Sequence, residues 1–143
     1  MERRNGERPG TRLTGASDLF KAIGHPARLR ILEMLRGGGL CVCQVTAVLE
    51  LAASTVSAHL AELKRAGLVV ESRDGRWVRY SLSAAPAARP LLERVRALVA
   101  DDAQVAADAR VLQELRRVPL ETLCRVDVSR RTSARAANHE RRA

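Results

Sequence analysis

Apolar residues recur at three- and four-residue spacing through most of this chain, which is the spacing of one face of a helix. The spacing predicts helices at residues 17–23, 26–36, 40–49, 90–101 and 104–118. Gly24, the glycines at 37–39 and Pro119 supply breaks between them, because glycine and proline end helices. The predicted fold is therefore mainly α-helical.

The stretch 51–68 holds a further helix whose two faces differ in character. Val56, Leu60 and Leu63 lie at i, i+4 and i+7, so they share one face that we assign to the core. The opposite face carries short side chains near its start: Ser54, Thr55, Ser57 and Ala58. Short side chains let a helix sit deep in the major groove of DNA, although any amphipathic helix has a polar face. With the preceding helix and a turn at 50–53, this stretch predicts a helix-turn-helix in which it is the recognition helix.

After Gly67 the apolar period changes to two, which is the period of a β-strand. Residues 68–73 and 76–82 form two such runs, and Asp74-Gly75 between them favours a tight hairpin. A hairpin directly after a recognition helix is a wing. The fold class is therefore mainly α with a small β-hairpin, in the form of a winged helix-turn-helix.

We expect DNA contact from the recognition helix and from the arginines of the wing. Hydroxyl and cationic side chains hydrogen-bond phosphates and base edges, although a solvated hairpin tip would carry the same charges. The expected contact residues are Ser54, Thr55, Ser57, His59, Lys64, Arg73, Arg76 and Arg79. Their partner would be double-stranded operator DNA.

The helix predicted at 90–101 carries an apolar stripe that the other predicted elements leave uncovered. It consists of Leu91, Leu92, Val95, Leu98 and Val99. An uncovered stripe on a helix is typical of a subunit interface, so we predict a homodimer with a C-terminal helical extension. We divide the chain into a disordered basic segment at 1–14, the winged domain with its dimerisation helices at 15–124, and a disordered basic tail at 125–143.

The net charge of +9 lies mostly near the two ends of the chain. Residues 1–12 carry four Arg against two Glu, and residues 125–143 carry six Arg against two acidic residues, so the stretch between them is only +3. Charge therefore supports DNA binding only weakly. The three aromatic residues are too few for stacking on single-stranded nucleic acid. No apolar run reaches the roughly 20 residues of a membrane span, so we expect no membrane partner and a cytoplasmic location.

Five separated motifs occur in order, and together they resemble the ArsR-type, or ArsR/SmtB, metal-sensing repressors. They are FKAIGHPARLRILEML at 20–35, LCVC at 40–43, STVSAHL at 54–60, AGL at 66–68 and GRWVRY at 75–80. The resemblance covers residues 17–82, and residues 83–124 match only in general helical character. It implies a homodimeric winged helix-turn-helix protein that represses its own operon until a thiophilic ion binds.

Three features depart from the pattern of this family. Ala58 stands where many relatives carry a basic residue that contacts DNA. Thr46 stands where arsenite-sensing relatives often carry a third cysteine, and the helix at 90–101 lacks the histidine of the family's zinc site. The resemblance therefore points to the arsenic-responsive branch and not to a zinc sensor.

Cys41 and Cys43, which follow the glycine run, are the candidate ligands of the inducer. Trivalent arsenic and antimony are soft centres that prefer thiolates, and the start of a helix favours the thiolate form. In a regular helix the two side chains point about 200° apart, so shared binding would unwind the first turn and move the recognition helix. The alternative is that both cysteines pack as small apolar residues. No organic cofactor is implied.

Cys124 is an open candidate, which either supplies a third sulfur or packs at the end of the last helical turn. We expect it not to be essential, because it lies 81 residues beyond Cys43 and no sequence pattern brings the two together. Two thiolates satisfy a monosubstituted arsenical, whereas inorganic arsenite is held best by three.

The alternative functions are a redox-sensing thiol regulator and, less favoured, a thiol oxidoreductase. We expect no enzyme, because no strand precedes the two cysteines, their spacing is C-x-C and not C-x-x-C, and no general base lies nearby. A disulfide between Cys41 and Cys43 would be strained, which counts against the redox regulator.

Overall fold

The computed structural model describes residues 11–124 of the chain. Its helices are α1 (Thr11–Ile23), α2 (Pro26–Met34), α3 (Val42–Leu49), α4 (Ala53–Arg65), α5 (Arg89–Val99) and α6 (Ala103–Leu115). Its strands are β1 (Leu40–Cys41), β2 (Val69–Asp74) and β3 (Trp77–Leu82). A 3-10 turn (Leu35–Gly37) follows α2, and residues 120–124 are again helical. The fold is mainly α with a small antiparallel sheet, as predicted.

The first helix is longer than the apolar spacing predicted. It begins at Thr11, so residues 11–14 are helical, although the predicted disordered segment extended to residue 14. The first two turns contain Leu13 as their only large apolar residue, which leaves no periodicity to detect. Residues 1–10 and the predicted tail at 125–143 lie outside the described residues.

Two helices begin at caps that their sequences supply. His25 precedes α2, and its Nδ1 accepts a hydrogen bond of 3.1 Å from the Ala27 N–H, with Pro26 in the first turn. Asp102 precedes α6, and its carboxylate accepts from two backbone N–H groups of the first turn at 2.8 and 3.1 Å. Each cap satisfies donors that a helix start leaves unpaired. Both helices are therefore fixed at their first residue.

The recognition helix α4 buries the face that its spacing predicted. Val56, Leu60 and Leu63 are fully buried against α2, α3 and the sheet. The turn from α3 to α4 passes through Glu50 in the left-handed region (φ 56°), a conformation that residues with a Cβ rarely adopt. Gly67, at φ 77°, leads the chain out of α4 and into the wing. The turn at Glu50 thus directs the chain from α3 into α4, and the turn at Gly67 directs it from α4 into β2.

The wing is a three-stranded sheet in the order β1-β3-β2, and not a two-stranded hairpin alone. Cys41 in β1 pairs with Arg79 in β3, so the start of α3 is tied to the wing. The apolar spacing predicts a helix over residues 40–49, and this prediction is wrong for Leu40 and Cys41, which form a strand. The hairpin loop is also displaced by one residue, because Asp74 pairs with Trp77 and leaves Gly75-Arg76 as the loop.

The apolar stripe of α5 is only partly exposed within one chain. Leu92 and Val95 are buried, since α5 packs on α2 next to Leu112 of α6. The prediction that nothing in the monomer covers this stripe is therefore wrong for those two residues. Leu98 is 70% exposed, and Phe20 of α1, an apolar residue of the helix predicted at 17–23, is 63% exposed. Within residues 11–124 no helix is long and apolar enough to cross a lipid bilayer.

A bidentate ion pair joins α6 to α2. Arg30 donates from Nε and Nη2 to the two carboxylate oxygens of Asp108, at 2.8 and 2.9 Å. Gln104 donates to the same carboxylate at 2.9 Å, and Asp108 is 4% exposed. The hydrogen bonding of Arg30 to the Asp108 carboxylate raises the pKa of Arg30 above its ordinary value. This ion pair holds α6 against α2 and therefore also positions the segment that follows α6.

Candidate DNA interface and thiol pair

The exposed start of α4 presents the small polar residues that the sequence analysis singled out. Ser54, Thr55 and Ser57 are all exposed, as is Ala58 on the same face. The cap residue Ala52 offers no side-chain hydrogen bond to the first turn. Backbone N–H groups and hydroxyls are thus presented together at the positive end of a helix dipole, an arrangement suited to phosphate oxygens.

His59 contacts α2, and this contact holds the recognition helix in place. Its Nδ1 accepts a hydrogen bond of 3.1 Å from Arg28 Nε, and its ring centre lies 4.5 Å from that of His25. Burial, together with the nearby His25 and Arg28, lowers the pKa of His59. The same Arg28 donates from Nη1 to the carbonyl oxygens of Lys21 and Ala22, at the end of α1. His59 therefore links α4 to α1 and α2 through this arginine.

Lys64 pairs with the wing instead of standing free on the recognition helix. Its Nζ lies 3.1 Å from Glu71 Oε2 of β2, and both side chains are more than a third exposed. The hydrogen bond from Lys64 lowers the pKa of Glu71. Ser54, Thr55 and Ser57 are thus the predicted contact residues on α4 whose side chains have no hydrogen-bond partner within residues 11–124.

The three wing arginines occupy different environments. Arg73 is exposed on β2, and Arg76 lies in the loop with its guanidinium 4.9 Å from the centre of the Trp77 ring. Arg76 also donates a hydrogen bond to Glu121, a residue 45 positions later in the chain. Arg79 had been expected near the wing tip with the other two. In the structure Arg79 lies in β3, away from the loop.

Arg79 packs inside the junction between β1 and β3. A Cβ on Gly39 would lie 2.8 Å from its Cγ and Cδ, so only glycine fits beneath this side chain. Its Nε is buried and has no hydrogen-bond partner within residues 11–124. Asp74 lies 3.7 Å from its terminal nitrogen. This placement makes Arg79 a residue of the sheet junction more than of the exposed wing.

Cys41 is buried at the junction of β1 and α3. It is 3% exposed and precedes the first turn of α3 as its N-cap, where its N–H donates to Gln44 Oε1 at 2.9 Å. Burial raises the pKa of its thiol, and this outweighs the lowering by the nearby Arg79. The expectation that the helix start favours a thiolate is therefore wrong for Cys41.

Cys43 pairs with Cys124 and not with Cys41. The structure joins the two as a disulfide, with their Cα atoms 5.5 Å apart, and leaves Cys41 as a free thiol. This approach arises because α6 packs on α2 and α3, and the turn after it returns residues 120–124 to α3. Within residues 11–124 no group of three His, Cys, Asp or Glu side chains could hold one metal ion. The structure thus joins Cys43 to Cys124, and not to Cys41, which the sequence predicted as its partner in the inducer site.

The raised pKa of Cys41 leads to an expected order of thiol reactivity. In the reduced native protein, Cys41 should be alkylated by iodoacetamide last, with a rate that rises as the pH is raised. Burial of the neutral thiol contributes stability below the ordinary cysteine pKa, and this is lost as the pH rises through the higher pKa of the folded state. Mass spectrometry of digested peptides checks the order, with denatured protein as the control in which all three cysteines react alike. Equal rates for Cys41 and Cys124 in the native protein would contradict it.

The family model described as "Bacterial regulatory protein, arsR family" matches residues 25–71, from the cap of α2 into β2. The HTH-type transcriptional regulator CmtR of Mycobacterium bovis is 43% identical over 84 residues, which are 59% of this chain and 71% of that protein. The chain belongs to the ArsR family. The arsenic resistance transcriptional regulator ArsR1 of Pseudomonas putida is 43% identical over 65 residues, 45% of this chain. The matched stretch spans only 51% of that regulator.

Solved structures similar to this ArsR-family chain are winged helix-turn-helix proteins. A homodimeric winged helix-turn-helix DNA-binding domain from Mycobacterium bovis aligns with a TM-score of 0.58 and 25% identity, over 71% of this chain and 94% of that domain. Reduced HlyU from Vibrio cholerae aligns with a TM-score of 0.53 and 36% identity, over 61% of this chain and 90% of that chain. The predicted fold class is confirmed. So is the prediction that the chain is not an enzyme, because the family consists of transcriptional regulators.

Two contacts of this site have no signal in the sequence. Glu121 meets Arg76 across 45 residues, and Cys124 meets Cys43 across 81. Both depend on the turn after α6, whose direction no local pattern encodes. The family match also ends at residue 71, so it does not include the segment of the chain that contains Cys124. By contrast, Arg28, which donates to His59, lies within the motif at 20–35, so the sequence does carry a signal for this residue.

Proposed function

We propose that this chain is a homodimeric transcriptional repressor that leaves its operator when trivalent arsenic or antimony binds cysteine thiolates. The observation that carries the proposal is the pairing of Cys43, in the first helix of the helix-turn-helix, with Cys124 from the end of the described chain. Similarity to proteins named as arsenic resistance regulators in Pseudomonas putida and Escherichia coli supports the same inducer.

In this proposal the recognition helix and the wing divide the contacts with DNA. Ser54, Thr55 and Ser57 face base edges and phosphates from the exposed start of α4. Arg73 and Arg76 reach phosphates from the wing, where a guanidinium makes strong hydrogen bonds to an anionic oxygen. The other three expected contact residues act indirectly: they hold α4 and the wing in position. They are His59, Lys64 and Arg79.

The thiol pair fits the exchange chemistry of arsenite. Each thiol replaces one hydroxide of As(OH)₃, its proton leaves with that hydroxide as water, and the third hydroxide stays on arsenic. A monosubstituted arsenical has two hydroxides and is fully satisfied by the same pair. Thr46 offers no further sulfur, and its hydroxyl already donates to the Val42 carbonyl at 2.7 Å. Both kinds of arsenical are therefore ligands of the proposed site, and neither requires Cys41.

Single cysteine variants test the proposal directly. Arsenite should release the wild-type protein from a labelled duplex taken from upstream of its own gene, as measured by fluorescence anisotropy. Cys43→Ser and Cys124→Ser should each lose this release, because one remaining thiolate cannot chelate. Cys41→Ser is the matched control and should keep it. Full release in either of the first two variants would end the assignment to this pair.

A redox-sensing regulator is the second candidate, and the disulfide between Cys43 and Cys124 favours it. In that case a mild oxidant would release the protein from DNA, and arsenite would have no effect on the reduced protein. The anisotropy measurement separates the two functions when it is repeated with oxidised glutathione in place of arsenite.

A further inference from the structure

Residues 116–124, here named the C-terminal strap, run from the end of α6 back to the helix-turn-helix. At one end the Arg116 side chain packs on the glycine turn, with Nη2 only 3.2 Å from where a Cβ on Gly37 would lie. At the other end Cys124 is joined to Cys43 of α3. The strap is thus attached at both ends when the two cysteines are linked, and at one end when they are not.

Between its two ends the strap reaches the wing. Glu121 accepts a hydrogen bond from Arg76, the loop residue assigned above to a DNA phosphate. Lys64 and Arg79 also pair with carboxylates, but their partners Glu71 and Asp74 belong to the wing itself. A carboxylate occupies the same hydrogen-bonding positions of a guanidinium that a phosphate would use. Glu121 and a DNA phosphate therefore compete for the Nη2 donor of Arg76.

The strength of this contact depends on how the strap is attached. The side chains of Arg76 and Glu121 are 67% and 61% exposed, and exposed ion pairs shift an equilibrium by only about 1.5- to 5-fold. Such a pair opens readily when the strap is free beyond Pro119. Cys124 lies three residues after Glu121, so closing the link to Cys43 keeps the carboxylate at a high effective concentration beside the wing.

We propose that Glu121 competes with DNA phosphate for Arg76 whenever Cys43 and Cys124 are linked, so that the strap transmits the state of the thiol pair to the wing. This inference rests on the proposed function, since it names the route by which a ligand of that pair weakens DNA contact. The link is closed by arsenic held between the two thiolates. It is also closed by a disulfide, formed when the two thiols give two electrons and two protons to oxidised glutathione, which becomes two molecules of glutathione.

The test compares DNA affinity and its salt dependence with the link open and closed by oxidised glutathione. The probe is a mixed-sequence duplex, because phosphate contacts do not depend on sequence. Closing the link in the wild-type protein should weaken binding about 1.5- to 5-fold for each wing and reduce the salt slope by about 0.9 for each wing, the loss of one phosphate contact. Glu121→Gln should bind like the wild type when reduced and keep its affinity and slope when oxidised.

Two further variants complete the design. Arg76→Ala should show the reduced slope in both states, since the competing cation is gone. Glu114→Gln removes another exposed carboxylate, paired with Arg117 on the neighbouring turn, and should respond to oxidation like the wild type. Oxidation that weakens Glu121→Gln as much as the wild type would overturn the inference. So would mass spectra that show no disulfide between Cys43 and Cys124.

An arsenite titration separates this inference from the proposed function. If arsenite releases the wild type and Glu121→Gln equally from the operator duplex, the proposed function stands and the strap mechanism is wrong. If arsenite releases neither protein while oxidation still acts through Glu121, the strap mechanism stands and the proposed inducer is wrong.

Discussion

Replacement of Phe20 and Leu98 together by Asp is expected to convert the protein to monomers and to lower operator affinity by about 10²–10⁴-fold. The two side chains are 63% and 70% exposed, on α1 and α5, while Leu92 and Val95 of the α5 stripe are buried inside the chain. Leu13, at 78% exposure, extends the same apolar character along α1. Charges introduced into a face shared by two subunits face each other across the symmetry axis and stay unpaired.

Sedimentation velocity reports the oligomeric state, and anisotropy with an operator duplex reports the affinity. Leu51→Asp is the matched control, because Leu51 is another exposed leucine (37%) but lies in the turn of the helix-turn-helix. It should leave the protein dimeric. A double variant that still sediments as a dimer would contradict the assignment of the interface to α1 and α5.

The parts of the fold that the sequence predicted are those in which local pattern and tertiary packing agree. The face of α4 formed by Val56, Leu60 and Leu63 is apolar in sequence and fully buried in the structure. The caps that His25 and Asp102 form at the starts of α2 and α6 are local contacts of the same kind. In each case the determining contacts lie within one or two turns of the residue, so the spacing carries the information.

The parts that the sequence did not predict depend on contacts between distant segments. The strand β1 has two residues and exists only because it pairs with Tyr80 and Arg79 in β3. Two residues are too few to show a period, and their neighbours in the chain continue as a helix. This strand changes the predicted thiol site, because Cys41 lies in β1 while Cys43 lies in α3. The two sulfurs therefore do not share one helical turn.

The approach of Cys124 to Cys43 shows the same limit more strongly. It requires α6 to lie on α2 and α3, the chain to turn near Pro119, and a further helical turn to follow. Each step is plausible from sequence, but their directions are determined by packing. The number of thiols in the proposed site was predictable from ligand chemistry, whereas the identity of the second thiol was not.

Asp108→Ala is expected to lower the free energy of unfolding by about 2–4 kcal/mol. Loss of one partner from a fully buried ion pair costs about 3–5 kcal/mol, because a charge is left without compensation. The Asp108 side chain is 5% exposed and that of Arg30 is 26% exposed, so water reaches the remaining guanidinium and the cost is somewhat smaller. Chemical denaturation of the reduced protein measures the change.

Two variants show whether this loss comes from the unpaired charge. Arg30→Met with Asp108→Leu removes both charges and should recover most of the stability. Glu114→Ala breaks an exposed pair with Arg117 in the turn after α6, whose side chains are 75% and 72% exposed, and should change the free energy of unfolding by less than about 0.5 kcal/mol. If Asp108→Ala is no more destabilised than Glu114→Ala, this ion pair does not hold α6 in place. The position of α6 on α2 must then depend on apolar packing around Leu112.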